Sequence, residues 1–329
     1  MVKDIKEFEK LFKLNIPDKK EFQYYIDTLR QSKEYADIDG LVERFAGFEQ
    51  FIRESGYSSV SHYKMKGAFD ILKAYVEGTD TYKRFQEFDY SGIQLHSVDK
   101  LKANTDSLMV SFDLRKANYS TMKYFDFEDK EMGVSWENLC CNNNIHPMLA
   151  ESKSFRQLFF GNLNPKRSQK IQHTFMLQFI EQLKDWGVTE GATSNIIFLS
   201  HDEIILRWGD KNMVVAKYLK EFIDANEILM VKTIEKDMTL IKRPMGLKAT
   251  VFTMEKIPET KVYKKTFFDF EKRIYGDAEI LGMKENYSYL WGVPGNKFYM
   301  FFKKYILKKE FDKRDLIFFA DGQLAKWII

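Results

Sequence analysis

The chain has 329 residues, of which 44% are apolar, including 29 Phe and 17 Tyr. This length and composition exclude a largely disordered chain and predict two or three subdomains around a shared core. The net charge of +3 is nearly neutral, so bulk charge does not indicate a polyanionic partner and any basic surface must be local.

Cysteine content and hydropathy narrow the class of protein. The two cysteines, Cys140 and Cys141, are adjacent, which excludes a disulfide scaffold. The first ten residues lack the apolar core of a secretory signal. No apolar run approaches the roughly 18 residues of a transmembrane helix. We therefore expect an intracellular, cytoplasmic protein that does not contact a membrane.

Apolar residues at helical spacing dominate residues 1–100. Val42, Phe45 and Phe48 recur three positions apart, which is typical of a helix with one buried face. Asp18 precedes Glu21 at the spacing of a capping box. The pattern predicts an N-terminal helical lobe.

The rest of the chain alternates strand-like and helix-like segments. Strand-like runs occupy residues 107–112, 195–206 and 228–241, and helical patterns occupy residues 115–125, 151–162, 169–186 and 213–225. This order predicts an α+β fold in which an antiparallel sheet is backed by helices.

Acidic residues stand at the ends of two of these apolar runs. Asp113 follows the run of residues 108–112, and His201-Asp202-Glu203 lies between two apolar segments that predict a β-hairpin. Adjacent carboxylates repel each other and favour a cation between them. Two strands that each present an acid are the minimal scaffold for two-metal phosphoryl transfer.

A basic and aromatic helix face lies between these acids in sequence. Arg156 and Phe160 are four residues apart, so they share one face of the predicted helix. Such a face offers a cation for a triphosphate and a ring for a base or sugar. Lys166 and Arg167 add positive charge just downstream.

Together these motifs resemble those of right-hand, palm-domain nucleic-acid polymerases. Arg156, Phe160 and Gly161 are similar to the fingers motif of family A DNA polymerases. The His201-Asp202-Glu203 tip resembles their third motif, and Asp113 resembles the strand-terminal Asp of their first.

The resemblance implies a role for each motif residue. Asp113 and Asp202 would ligate two Mg²⁺ ions with support from Glu203, and His201 would lie near the primer terminus. Arg156 would hold the triphosphate, and Phe160 would stack near the base and sugar.

The chain also departs from family A. The short separation of Arg156 and Asp202 is more similar to reverse transcriptases and RNA-dependent polymerases. The alanine four residues beyond Asp113 also resembles the first motif of reverse transcriptases. Asn118 stands where family A carries a glutamate that discriminates between deoxyribose and ribose. Asparagine is smaller and can donate a hydrogen bond, so ribonucleotides remain possible substrates.

The sequence therefore predicts a template-dependent polymerase, with DNA synthesis slightly favoured over RNA synthesis. Its expected partners are template, primer and nucleoside triphosphates, and both accessory protein subunits and a viral or phage origin stay open. The expected domains are a helical lobe (1–100), a palm with short fingers (101–240) and a thumb-like nucleic-acid-binding region (241–329).

Two other functions stay open at this point. A metal-dependent nuclease would use Asp113, Asp202 and Glu203 on water. A noncatalytic nucleic-acid-binding protein would rely on the basic and aromatic segment 301–314. A zinc site at Cys140, Cys141 and His146 is disfavoured, because a second ligand pair is lacking.

Overall fold

The structure is a computed structural model of the chain. It describes residues 2–14, 16, 19–30, 37–89, 94–105, 107–128, 130–185, 195–208, 216–221, 230–234, 240–244, 246–259, 261–275, 278–292, 318–319 and 325–327. By the density of its internal contacts the chain divides into two compact units. The first unit comprises residues 1–87, 125–163 and 288–329, and the second comprises residues 88–124 and 164–287.

Eleven α-helices are numbered here among the described residues. They are α1 (Ile5–Phe12), α2 (Phe22–Leu29), α3 (Ile38–Glu54), α4 (Val60–His62), α5 (Asp70–Gly78), α6 (Asp80–Glu87), α7 (Ala117–Lys123), α8 (Trp136–Asn142), α9 (Pro147–Glu151), α10 (Lys153–Gly161) and α11 (Pro165–Asp185). A π-helical turn, Tyr63–Phe69, joins α4 to α5, and residues 216–221 are also helical. Short 3₁₀ turns cover Lys19–Glu21 and Leu101–Ala103.

The described residues also contain eleven β-strands. They are β1 (Val98–Asp99), β2 (Leu108–Leu114), β3 (Ile196–Leu199), β4 (Glu203–Trp208), β5 (Met230–Ile234), β6 (Leu240–Pro244), β7 (Leu247–Lys256), β8 (Tyr263–Tyr275), β9 (Ala278–Trp291), β10 (Phe318–Phe319) and β11 (Ala325–Trp327). Among the described residues, none of the helices is both long enough and apolar enough to cross a membrane.

Among its described residues, the first unit is mainly helical and its core is aromatic. Phe45 and Phe48 on α3 are fully buried, as their spacing predicts, and Phe8 of α1 packs edge-on against Phe45. Ser152 caps the start of α10 by accepting a hydrogen bond from the Phe155 N–H, and its hydroxyl donates to the Leu11 carbonyl. The predicted N-terminal helices therefore form, and a buried serine joins them to later ones.

The second unit is built on a seven-stranded antiparallel sheet with the order β1-β3-β4-β2-β7-β8-β9. β2 lies between β4 and β7, with Asp113 opposite Glu203 on one side and Lys248 on the other. Strands β5 and β6 form a separate hairpin. The order places the first acid-bearing strand beside the predicted acid-tipped hairpin, which is the pair β3 and β4.

Helices cover one face of this sheet. Phe112 of β2 is fully buried and meets Phe179 of α11 edge-on, with ring centroids 5.3 Å apart. Tyr124, which follows α7, packs on Phe175 of α11. The α+β prediction is confirmed, with helices against an antiparallel sheet.

Each compact unit is built from several segments of the chain. β7 follows residue 240 in the chain and pairs with β2 over residues 247–252, within the second unit. Residues 125–163 belong with the N-terminal helices and not with the sheet. Pro165 is the first residue of α11, where its missing N–H costs nothing. The capping-box residue Asp18 and the basic segment 301–314 lie outside the described residues.

Candidate functional site

Two of the predicted acids, Asp113 and Glu203, lie on one face of the second unit's sheet. Side chains alternate along β2, so buried Phe112 and Leu114 point to the helices and Asp113 points to the opposite face. Glu203 is the register partner of Asp113 on β4, and directly paired residues bring their Cβ atoms within about 5.5 Å. We call this surface the carboxylate face.

The turn between β3 and β4 is held by its first residue, Ser200. The Ser200 hydroxyl lies 3.1 Å from Asp202 Oδ1 and accepts a hydrogen bond from the Glu203 N–H. The Leu114 N–H donates to the Asp202 carbonyl over 2.9 Å. Asp202 is therefore fixed both to its own turn and to the end of β2, next to Asp113.

His201 stands at the tip of this turn. Its Nε2 lies 3.4 Å from Asp202 Oδ1, and its side chain is 40% exposed. An exposed imidazole beside a carboxylate can contact a ligand from solvent, as the predicted primer contact requires.

Glu203 has two polar neighbours on the carboxylate face. The Ser111 hydroxyl donates to Glu203 Oε1 over 2.5 Å. Lys265 of β8 interacts electrostatically with Glu203, and its Nζ lies 3.7 Å from the ring centroid of Phe252. Burial lowers the pKa of Lys265 to about 8, while the Glu203 charge acts in the opposite direction. The Ser111 hydroxyl thus orients the Glu203 carboxylate, and the Lys265 ammonium lies near it.

A buried histidine supports the turn from the helix side. His173 of α11 is 1% exposed, and its Nε2 accepts the His96 N–H over 3.2 Å. The neutral ring therefore carries its proton on Nδ1, which donates to the Ser200 carbonyl over 3.4 Å. Burial lowers the pKa of His173, and this favours that neutral form.

The donor set is suited to a hard divalent cation. Asp113 is exposed, Asp202 is 33% exposed, and both offer the carboxylate oxygens that Mg²⁺ prefers. In the conformation of the described residues, no three His, Cys, Asp or Glu side chains are gathered closely enough to hold a metal ion. Asp113 and Asp202 therefore supply suitable oxygen donors, and their side chains would have to rotate about the backbone before they could share an ion.

Three further predicted residues lie in the second unit. Asn118 on α7 accepts a hydrogen bond from the Gln172 amide over 2.9 Å. Lys166 at the start of α11 is exposed. Arg167 was expected to contact a phosphate, but its guanidinium donates a hydrogen bond to the Phe88 carbonyl over 2.6 Å.

The remaining two predicted residues, Arg156 and Phe160, belong to the first unit. Phe160 is 2% exposed and packs against the Trp136 ring at 5.4 Å between centroids. The structure thus uses this ring as a core residue and leaves it no open face for a base. Arg156 is partly buried, and burial lowers the pKa of its guanidinium.

Sequence reasoning missed several residues of the carboxylate face. Ser111 stands two residues before Asp113, so strand alternation alone could have placed it beside the acids. Lys265 and His173 reach the site from distant elements, β8 and α11, and no local pattern marks them.

Comparisons of the chain with protein-family models, with curated proteins and with solved structures found no match.

Proposed function

We propose that the protein is a template-dependent nucleic-acid polymerase that adds nucleotides to a 3′-hydroxyl, with DNA synthesis slightly favoured over RNA synthesis. The observation that carries the proposal is the register of β2 and β4. It sets Asp113 opposite Glu203, and the Leu114–Asp202 hydrogen bond adds the hairpin acid at the same strand end.

The sheet topology supports the palm part of the proposal. The resemblance requires a strand-terminal acid next to an acid-tipped hairpin, on a sheet whose other face is covered by helices. β2, the β3–β4 hairpin and α11 have this arrangement. The thumb-like role proposed for the C-terminal region rests on its basic and aromatic sequence.

Each acid has a separate part in the proposed reaction. Asp113 and Asp202 would hold the two Mg²⁺ ions, which when bound supply activation of the 3′-hydroxyl and charge neutralisation of the triphosphate. Glu203, held by Ser111, would support the Asp113 side of the site. His201, exposed at the hairpin tip, would contact the primer end.

The nucleotide-binding part rests on fewer residues than the sequence predicts. Lys166, exposed in the second unit, stays in the proposal as a cation for the triphosphate. The role of Arg156, which belongs to the first unit, rests on the sequence motif alone. Phe160 is not assigned a base contact, because its ring is packed on Trp136.

Primer extension tests the proposal directly. The purified chain is given DNA or RNA templates, with deoxyribonucleotides or ribonucleotides, with and without Mg²⁺. We expect magnesium-dependent extension, and a loss of at least about 100-fold in Asp113→Asn and in Asp202→Asn, since even indirect metal supports cost about 10- to 100-fold. Asp185→Asn, an exposed acid at the end of α11, is the matched control and should extend normally.

The outcomes separate the three functions considered. No extension under any combination of template and nucleotide would refute the polymerase. Strand cleavage in the absence of nucleotides, lost in Asp113→Asn, would identify a nuclease. Nucleic-acid binding unaffected by both substitutions, without any turnover, would identify a binding protein.

A further inference from the structure

The first unit holds a histidine against two aromatic rings of α3. His146 directly precedes α9 and is half-buried. The centroid of its ring lies 4.6 Å from that of Phe48 and 4.8 Å from that of Phe51. Its backbone N–H donates to the Tyr63 hydroxyl over 3.0 Å. These contacts hold the imidazole in place, and the proposed polymerase reaction does not use it.

The imidazole closes the first turn of α9. Its Nδ1 accepts the Met148 N–H over 3.1 Å, which satisfies one of the N–H groups that the start of a helix leaves without a partner. Because Nδ1 is the acceptor, the neutral ring carries its proton on Nε2. A second proton can then bind only at Nδ1. Protonation therefore removes the cap and sets the new N–H against the Met148 N–H.

The surroundings of His146 favour its neutral form. Burial lowers the pKa of His146, and no charged side chain among the described residues offsets this effect. Burial raises the pKa of Tyr63, whose titratable neighbours are Tyr57 and Cys140, so the Tyr63 hydroxyl stays neutral around pH 7. Acidic side chains on the adjoining elements have other partners: Glu49 accepts the Asp4 N–H, Glu7 binds Lys64, and Glu151 binds Arg44 at the far end of α9.

α9 connects several parts of the first unit. It is five residues long, and so short a helix depends on its caps and tertiary contacts. The Trp136 indole N–H of α8 donates to the Ala150 carbonyl over 2.8 Å. Ser152, which follows α9, caps α10 and donates to the Leu11 carbonyl. Loss of the cap at His146 therefore loosens a segment that joins α8, α10 and α1.

We propose that His146 and α9 form an acid-sensitive latch in the first unit. The neutral imidazole caps α9 and keeps the latch closed. In the open form the ring reaches water, where a histidine has a pKa of about 6.5. The open form therefore takes up a proton before the closed form does, and a fall in pH below about 6.5 favours opening. The change reverses when the pH is raised. The proposal goes beyond the polymerase function, since it stands whether or not the protein extends a primer.

Hydrogen–deuterium exchange of the full chain at pH 7.5, 6.5 and 5.5, read on residues 148–151, tests the proposal. The main variant is His146→Asn, because asparagine is a favoured N-cap residue and does not titrate. Comparison of two proteins at the same pH cancels the intrinsic pH dependence of exchange. The ratio of wild-type to His146→Asn exchange should rise by up to about tenfold between pH 7.5 and 5.5, since an equilibrium coupled to one proton changes about tenfold for each pH unit below the pKa.

Two further variants separate the cap from its titration. His146→Ala removes the cap at every pH, so α9 should exchange faster than in the wild type at pH 7.5, and its ratio to His146→Asn should not change with pH. His62→Asn replaces an exposed histidine of α4 and should follow the wild type at each pH.

Four outcomes would overturn the proposal. One is a ratio of wild type to His146→Asn that does not change with pH. Another is slower wild-type exchange in acid, which would mean that Phe48 and Phe51 stabilise the imidazolium through cation–π contacts. Equal opening of β2, in the second unit, would show global unfolding instead of a latch. Nitrogen NMR of the ring at pH 7.5 tests the cap itself, and a proton found on Nδ1 would exclude it.

Discussion

Lys265 provides a direct test of the electrostatics around Glu203. Its pKa is lowered to about 8 by burial beside Phe252, from an ordinary value of 10.5. The unfolded chain therefore keeps this proton up to about pH 10.5, and the folded chain releases it near pH 8. Protons favour the unfolded state across this window, so the free energy of unfolding should rise with pH from about 8 to 10.5.

The size of the effect follows from the same pKa. A change of one in pKa is worth about 1.4 kcal/mol, so the lowered value corresponds to about 3 kcal/mol. Lys265→Met keeps the length of the side chain and removes the charge. At pH 7 the variant should be more stable than the wild type by up to about 3 kcal/mol, and the difference should vanish above about pH 10.5.

Urea denaturation of both proteins between pH 7 and 10.5 measures this difference. Lys264→Met, at the preceding position of β8, is the control, and its stability should stay parallel to that of the wild type. A Lys265→Met variant that is less stable at pH 7, or whose advantage does not shrink as the pH rises, would refute the reasoning. That result would mean that the contacts with Glu203 and Phe252 outweigh the cost of burying the charge.

Three other substitutions probe neighbouring contacts by denaturation. Ser111→Ala should cost about 1.5–3 kcal/mol, the value of a hydrogen bond to a charged group, and roughly half as much in a Glu203→Gln background, where the acceptor is neutral. Phe160→Ala should cost about 3–5 kcal/mol, because the ring is buried. Burial lowers the pKa of His173, so the unfolded state gains a proton first as the pH falls through about 6.5. The wild type should therefore lose stability below that pH, and His173→Gln should lose less.

Each of these predictions has a contradicting outcome. An equal cost of Ser111→Ala in both backgrounds would show that the Glu203 charge does not strengthen the hydrogen bond. A Phe160→Ala cost no larger than that of Leu158→Ala, whose side chain is 37% exposed, would contradict the core assignment. Parallel pH profiles for the wild type and His173→Gln would show that this ring does not govern acid stability.

Local sequence patterns were sufficient to predict the secondary structure around Asp113 and Asp202. Alternating or continuous apolar runs marked β2 and the β3–β4 hairpin, because a strand with a buried face needs apolar residues there whatever its partners are. The same runs fixed the ends at which Asp113 and Asp202 stand, and helical spacing marked α3 and α11.

Local patterns could not decide which helix face is buried or which distant strands pair. In α10, Arg156 and Phe160 share a face by spacing, and a ring on such a face can serve a core or a ligand equally well. Phe160 is a core residue because its ring packs against Trp136, which lies outside α10 and is not indicated by the sequence pattern of that helix. The pairing of β2 with β7 likewise depends on tertiary contacts between segments far apart in the chain, so no local pattern indicates it.

The pairing of β2 with β7 has a practical consequence for shortened versions of the protein. A chain ending at residue 240 keeps both acid-bearing strands but removes the strand that satisfies one side of β2. The exposed N–H and C=O groups of that apolar strand would then be available to any other chain, which is a known route to aggregation. An insoluble fragment should therefore not be taken as evidence that the intact protein folds poorly.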